Sequence, residues 1–292
     1  MQRLRRIFTI ASSTVTQLLR MKILVFLLLF CVLVVGAAFA FPVMNESQQL
    51  KLLKDVSFGA LQIFSIVLAI AATALLIPRD VEDRTLYTIL AKPVPRLDYI
   101  LGKYFGVIFL ILCGLVLMDI AFSGVLYLRQ EMVLQDAIAN HIQTNRGQAD
   151  AATVAALSAD IAQQGLTWTL HLAIWAIFMK AAVVTALSLL ISCMASSTLF
   201  TIITSFCFVV IGHGQALFRD YFFQGGITRL DYLFSALLAV VCPDLGLFDV
   251  VDAVLEGHHP SLQEMLTMTG LGTLYILGYL TVTHLIFVEK EL

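Results

Sequence analysis

The chain is short of charge. Only 13% of its 292 residues are Asp, Glu, Lys or Arg, where a soluble domain carries about a quarter, and 60% are hydrophobic, for a mean hydropathy of +0.92. That composition excludes a soluble globular protein. It also lacks paired cysteines: Cys31, Cys113 and Cys207 fall in apolar runs, Cys193 at a span end and Cys242 alone elsewhere. With no CxxC and no Cys/His cluster, neither a disulfide framework nor a metal site is expected. Catalytic signatures are missing too. There is no HExxH, no GxSxG, and no pair of carboxylates on one face of a span, so a membrane-embedded hydrolase or transferase has no visible machinery. The phosphate-cradling GxxxxGK[ST] loop is absent, because Gly102-Lys103 has no upstream glycine and is followed by Tyr104. No cleavable leader is read at the N-terminus, where the apolar run begins only near residue 23 without an A-x-A-like site. No internal repeat, low-complexity stretch or interdomain linker stands out, and the net charge of −2 says little about partners.

What is present is a series of apolar runs of about 20 residues, the length of membrane-crossing helices and not of the shorter alternating strands of a barrel. The spacing predicts six: about 23–41, 57–77, 104–126, 170–192, 198–213 and 262–288. Before them, residues 3–20 place Leu4, Ile7, Phe8, Ala11, Val15, Leu18 and Leu19 on one side, with Arg3, Arg5, Arg6, Ser12, Ser13, Gln17 and Arg20 on the other. This is the pattern of a helix lying in the interface with its arginines toward anionic headgroups. A short polar loop is expected over 43–56. The small residues Gly59, Ala60, Ser65, Ala69, Ala72 and Thr73 suit close packing of the second span. Residues 127–169 are long and polar, and two Ala- and Gln-rich helices, 130–144 and 149–164, predict a hairpin standing out of the membrane, with Gly165 stopping the second. A tight turn at 192–197 joins the fourth and fifth spans.

Between 214 and 260 the pattern is broken. Phe218, Tyr221, Phe222 and Phe223 resemble an aromatic belt, and the apolar run 230–242 is too short to cross. Leu247, Phe248, Val251, Val254 and Leu255 make one stripe, opposed by Asp249, Asp252 and Glu256, which predicts a second interfacial helix ended by Gly257. Ser261 and Glu264 form a capping box at the start of the last span.

Six spans put both termini on one side, and Lys and Arg decide which. Residues 1–22 hold five (Arg3, Arg5, Arg6, Arg20, Lys22), and 78–103 hold five more (Arg79, Arg84, Lys92, Arg96, Lys103). The opposing loops hold fewer over a much greater length, among many acids. The termini, the 78–103 loop and the 192–197 turn are therefore assigned to the cytoplasm, and the hairpin and 214–265 to the outside.

The most informative stretch is 78–103, PRDVEDRTLYTILAKPVPRLDYILGK, dense in charge between two spans. Asp80 is placed to cap a short helix over about 81–91, with Glu82 and Asp83 in its first turn where the dipole favours acids. Val81, Leu86, Ile89 and Leu90 offer an apolar side; Arg84, Tyr87 and Thr88 offer polar contacts. Lys92 precedes a proline, which stops the helix, and Pro93-Val94-Pro95 makes a stiff corner into a helix carrying Asp98 and Lys103. Such a strut passes motion between a soluble partner and the membrane; the plainer reading is a solvated loop with cytoplasmic positive charge.

This run resembles the first cytoplasmic loop of type-2 ABC exporter permeases. In that family an acidic pair, a Thr-Leu, a Pro-Val/Ile-x-Arg and a Leu-Gly-Lys recur in order. Here these are Glu82-Asp83, Thr85-Leu86, Pro93-Val94-Pro95-Arg96 and Leu101-Gly102-Lys103. PDLGLFDVV (243–251) is similar to the family's Pro-Asn-Leu-x-Leu-Phe-Asp segment before the last span, and the FVEKEL ending resembles its tail. Two features depart: Arg84 stands where the family commonly has Gly, and the 127–169 hairpin is long.

The resemblance implies one all-α polytopic permease domain over 1–292 in the cytoplasmic (inner) membrane. It has six transmembrane helices, an N-terminal interfacial helix, a cytoplasmic coupling helix between spans 2 and 3, an extracytoplasmic hairpin, and short amphipathic helices before span 6. It implies a dimer, with an identical copy or a paralogue, that binds two cytoplasmic ABC ATPase subunits. ATP and Mg²⁺ sit on those subunits; no cofactor and no nucleic acid is bound by this chain. Asp80, Glu82, Asp83, Arg84, Thr85, Leu86, Tyr87, Pro93 and Arg96 are the expected coupling residues. The competing classes are a non-transporting anchor or assembly subunit and, last, a membrane-embedded enzyme.

Two charges fall inside spans, Asp119 and Lys180, and they are expected to pair across the third and fourth helices, with cargo or proton contact the sharper alternative. His171, His213 and His284 lie at or near span ends, where solvation is their ordinary role. Spans otherwise uniformly apolar favour an amphipathic or lipid-like cargo.

Overall fold

The computed structural model describes residues 2–20, 25, 29–30, 32–36, 46–82, 94–144, 151–195, 197–224, 241–255, 257 and 260–289. Among them the structure is all helical, and five helices are long and apolar enough to cross a membrane. The expected first span, 23–41, lies largely outside the described residues. Helix α1 is Gln2–Arg20, α2 Glu46–Glu82, α3 Arg96–Thr144, α4 Ala151–Gln164, α5 Trp168–Met194, α6 Thr198–Gln224, α7 Val250–Leu255 and α8 Leu262–Glu289; a 3₁₀ turn covers Leu245–Phe248.

The bundle is built around α5. An 18-residue stretch of this helix is 83% buried, against 28% for the corresponding stretches of α6 and α8. Its residues from Met179 to Leu189 are all buried, so it shows no amphipathic stripe. A helix apolar on every side is one surrounded by others, and α2, α3, α6, α7 and α8 all pack on it.

Helix α2 starts earlier than expected: residues 46–56 are its first turns and not a loop. Leu50, Leu53, Ser57, Phe58 and Leu61 are buried at helical spacing, so the apolar stripe of the span simply extends upstream. It also ends later, at Glu82, running through Pro78. Proline there supplies no N–H for the Ala74 carbonyl one turn back.

Helix α3 has 49 residues. At about 1.5 Å each it is ~74 Å long, more than twice the ~30 Å hydrocarbon core, so its second half projects. The stretch 130–144 is thus one continuous rod with the third span, and α4 folds back on it through Val133, Ala137 and Ile161. At the base of this hairpin the Gln130 side chain accepts a hydrogen bond from the Leu166 backbone N–H at 3.3 Å, directly over Gly165, where a Cβ would collide with it.

Helix α6 continues past the expected end at 213 to Gln224; the aromatic side chains at 218 and 221–223 lie outside the described residues, as does 225–240. The segment 241–255 turns back into the bundle. Leu245, Phe248, Val251 and Val254 are buried, Asp244 accepts from Gly246 N–H to open the 3₁₀ turn, and Gly257, at φ +88°, takes the left-handed conformation that ends α7. Close approach at Gly212 lets α6 receive it: a Cβ there would lie 2.7 Å from the Pro243 carbonyl oxygen. The Gln215 amide donates to the Cys242 carbonyl at 2.8 Å. The Cys242 thiol is placed to donate to the Phe208 carbonyl. Helix α8 opens with reciprocal bonds, Glu264 N–H to Ser261 Oγ and Ser261 N–H to Glu264 Oε2.

Candidate functional site

The ends of α2 and α8, the start of α3 and the whole of α1 meet at one end of the bundle, and polar side chains lock them together. Asp80 lies in the last turn of α2, where a carboxylate faces the negative end of the helix dipole. Two donors offset that: Lys103 Nζ at 2.7 Å and the Tyr99 hydroxyl at 2.6 Å, both from α3. Asp80, Tyr99 and Lys103 are all at most 5% exposed. Asp80 is therefore a helix-terminal anchor, not the N-cap of a new helix. Lys103 Nζ also donates to Gln17 of α1 at 3.3 Å.

Asp98, in the first turn of the same helix as Lys103, is 1% exposed and faces Arg6 at 3.3 Å and Arg3 at 3.6 Å, both from α1. Its place in the first turn of α3 suits its charge. Arg6 is thus turned toward protein, in contrast to the expected headgroup contact, while Arg3 reaches Asp98 yet stays largely exposed, as Arg5 and Arg20 do. The helix presents Ile10, Thr14 and Leu18 to α3 and leaves Leu4 and Phe8, about three-quarters exposed, on another face. Two glycines four apart in α3 make the crossing possible. A Cβ on Gly102 would sit 2.7 Å from Ile10 Cβ, and one on Gly106 2.7 Å from Thr14 Cβ.

Arg96 fastens the last helix. Its guanidinium donates to the carbonyls of Phe287 and Val288 at 2.7 and 2.6 Å. These belong to the final turn of α8, whose carbonyls have no helical partner. The guanidinium also lies 6.0 Å from the centroid of the Phe287 ring, which stacks on Tyr99 at 5.7 Å. The loop between α2 and α3 is in this way rooted at both feet, by Asp80 on one side and Arg96 on the other.

Of the other expected coupling residues, Glu82 closes α2 with its side chain outside the described set, and Asp83, Arg84, Thr85, Leu86, Tyr87 and Pro93 lie outside the described residues. Tyr99, Asp98 and Lys103 complete the joint. Their sequence signal was present only as charged residues beginning a span, and the spacing of Gly102 and Gly106 was the readable sign of a helix crossing.

The two intramembrane charges do not pair with each other. Asp119 is 3.0 Å from His171 Nδ1 and bonds Ser123 on its own helix. Lys180 Nζ instead donates to Asp249 Oδ1 at 2.5 Å, and the Gln62 amide donates to the same oxygen at 3.2 Å. The register explains it. Asp119 lies opposite His171, and Tyr104 reaches the Ala182 carbonyl at 3.4 Å. Lys180 is nine residues from His171 along α5, about 13 Å deeper. Asp249, assigned to the polar side of an interfacial helix, is the residue that enters the bundle to meet it.

No protein-family model and no curated protein matches the chain.

Proposed function

We propose that the chain is the membrane-spanning permease subunit of an ATP-driven ABC exporter, coupling hydrolysis on a separate ATPase to movement of a substrate across the bilayer. The observation that carries this is the double rooting of the α2–α3 loop. The segment that resembles the family's ATPase-docking loop begins at Asp80 and ends at Arg96, and each is bonded into a joint holding α1, α2, α3 and α8. A load applied at either foot reaches four elements through bonded side chains. An ordinary solvated loop has no need of buried carboxylates at its ends, which are costly unless paired.

In this reading the joint faces the cytoplasm, as the surplus of Lys and Arg in 1–22 and 78–103 favours. Two ATPase subunits dock on a dimer of permeases, with ATP and Mg²⁺ bound by the ATPases, and their closure pulls on the loop. The permease chemistry is mechanical: Tyr99 and Lys103 hold Asp80, Arg96 holds the end of α8, and the glycine crossing carries α1 along with α3. Glu82 and Asp83 are the acids proposed to make the docking contact.

Co-purification tests this. The permease co-expressed with its ATPase is expected to bring that subunit down, and Glu82→Arg or Asp83→Arg is expected to lower the recovered ATPase at least several-fold while membrane insertion stays intact. Full recovery and undiminished transport in both variants overturn the docking role.

A further inference from the structure

A cavity of about 780 Å³ opens at the end of the bundle opposite the joint, between the 241–255 segment and the first turns of α8. That volume is in the range of sites for drug-sized molecules. Leu247, Val250, Met268 and Leu271 supply apolar wall, while the charged groups of the described lining are Asp249 and Glu264, both acidic. Asp249 is 38% exposed; its bonds to Lys180 and Gln62 both fall on Oδ1, and Oδ2 takes part in neither. Lys180 is 1% exposed and stays behind this carboxylate, in the bundle. Glu264 is exposed and uses one oxygen for the capping bond to Ser261. Lys180 offsets the charge of Asp249, and Glu264 leaves the described wall with a net negative charge.

Depth matters as well. Lys180 and Gln62 are near the middle of α5 and α2, so the 3₁₀ turn and Asp249 reach well into the bundle. Non-helical backbone at that depth is tolerated where it is enclosed by protein or lines a wet cavity. An open groove with apolar sides and carboxylates at Glu264 and Asp249 complements a molecule with an apolar body and a positive head.

We infer that this cavity is a binding site for an amphipathic organic cation, its apolar part against Leu247, Val250, Met268 and Leu271 and its charged head toward Glu264 and Asp249. The inference deepens the exporter reading by naming a cargo class, and rests on that reading only for transport; binding is a property of the chain alone.

The test uses the purified full chain in phosphatidylcholine nanodiscs with no ATPase, titrated with a fluorescent alkyl-quaternary-ammonium probe and with its neutral and sulfonate analogues, against empty nanodiscs. Saturable binding in the order cation, neutral, anion is expected. Glu264→Gln keeps the capping bond, since Gln serves at that position. It is expected to weaken the cation by about two- to fivefold, the reach of an exposed charge pair, and to leave the neutral analogue unchanged. Ala253→Trp, at an exposed lining position, is expected to abolish saturable binding of both. Equal affinity for cation and neutral analogue, no response to Glu264→Gln, or binding no greater than in empty nanodiscs overturns the site. Failure of ATPase co-purification with binding intact would instead remove the exporter reading and leave the site standing.

Discussion

Lys180 and Asp249 are unequal partners. The ammonium is 1% exposed and the carboxylate 38%, so loss of one is not equivalent to loss of the other. Asp249→Asn strands a buried positive charge and is expected to cost about 3–5 kcal/mol. Lys180→Met leaves a carboxylate that water can reach and is expected to cost much less. The double variant is expected to recover most of what Asp249→Asn loses, as measured by unfolding of the purified protein in detergent. Equal losses from the two single changes would contradict the buried pairing. Asp80 is an acid at the wrong end of a helix dipole, held there by Tyr99 and Lys103. A residue that violates a local preference and is repaired by tertiary bonds is what a site under functional demand looks like.

At the scale of elements, the crossing of α1 over α3 depends on backbone contact. Gly106→Val places side-chain atoms where Thr14 Cβ and the Ala11 carbonyl oxygen already stand, 2.7 and 2.9 Å from a Cβ. It is expected to destabilise by about 1–3 kcal/mol and to free α1 for proteolysis. Gly114→Ala on the same helix has nothing within 4 Å of the added methyl and is expected to be neutral to slightly stabilising, since Ala is the better helix former. Thermal unfolding and limited proteolysis of the two variants compare them directly, and equal behaviour would remove the glycines from the joint. The helix boundaries teach a related lesson. The polar residues of 46–56 read as a loop because Lys51 and Asp55 are charged, yet Leu50 and Leu53 continue the buried stripe of α2. Only the partner helix shows which side of a short amphipathic stretch is covered.

For the whole molecule, the antiparallel run of the helices sets α1 and the α3–α4 hairpin at opposite ends of the bundle. In a cysteine-free background, Ser13→Cys and Ala159→Cys, both exposed positions, are expected to react with a membrane-impermeant maleimide from opposite sides of sealed vesicles. On the proposed orientation Ser13→Cys reacts from the cytoplasmic side. Labelling of both from one side would refute the arrangement.

The sequence by itself determined the class: too little charge for water, apolar runs of bilayer length, and a charged, proline-bounded loop between two of them. Those are properties of composition and period, which local chain physics expresses without a partner. It also held the start of α8, since a capping box is complete within four residues. Tertiary structure decided which charges meet. Pairing depends on how helices slide against one another, and the rise of about 13 Å along α5 from His171, the partner of Asp119, to Lys180 becomes a separation of charges only through helix packing.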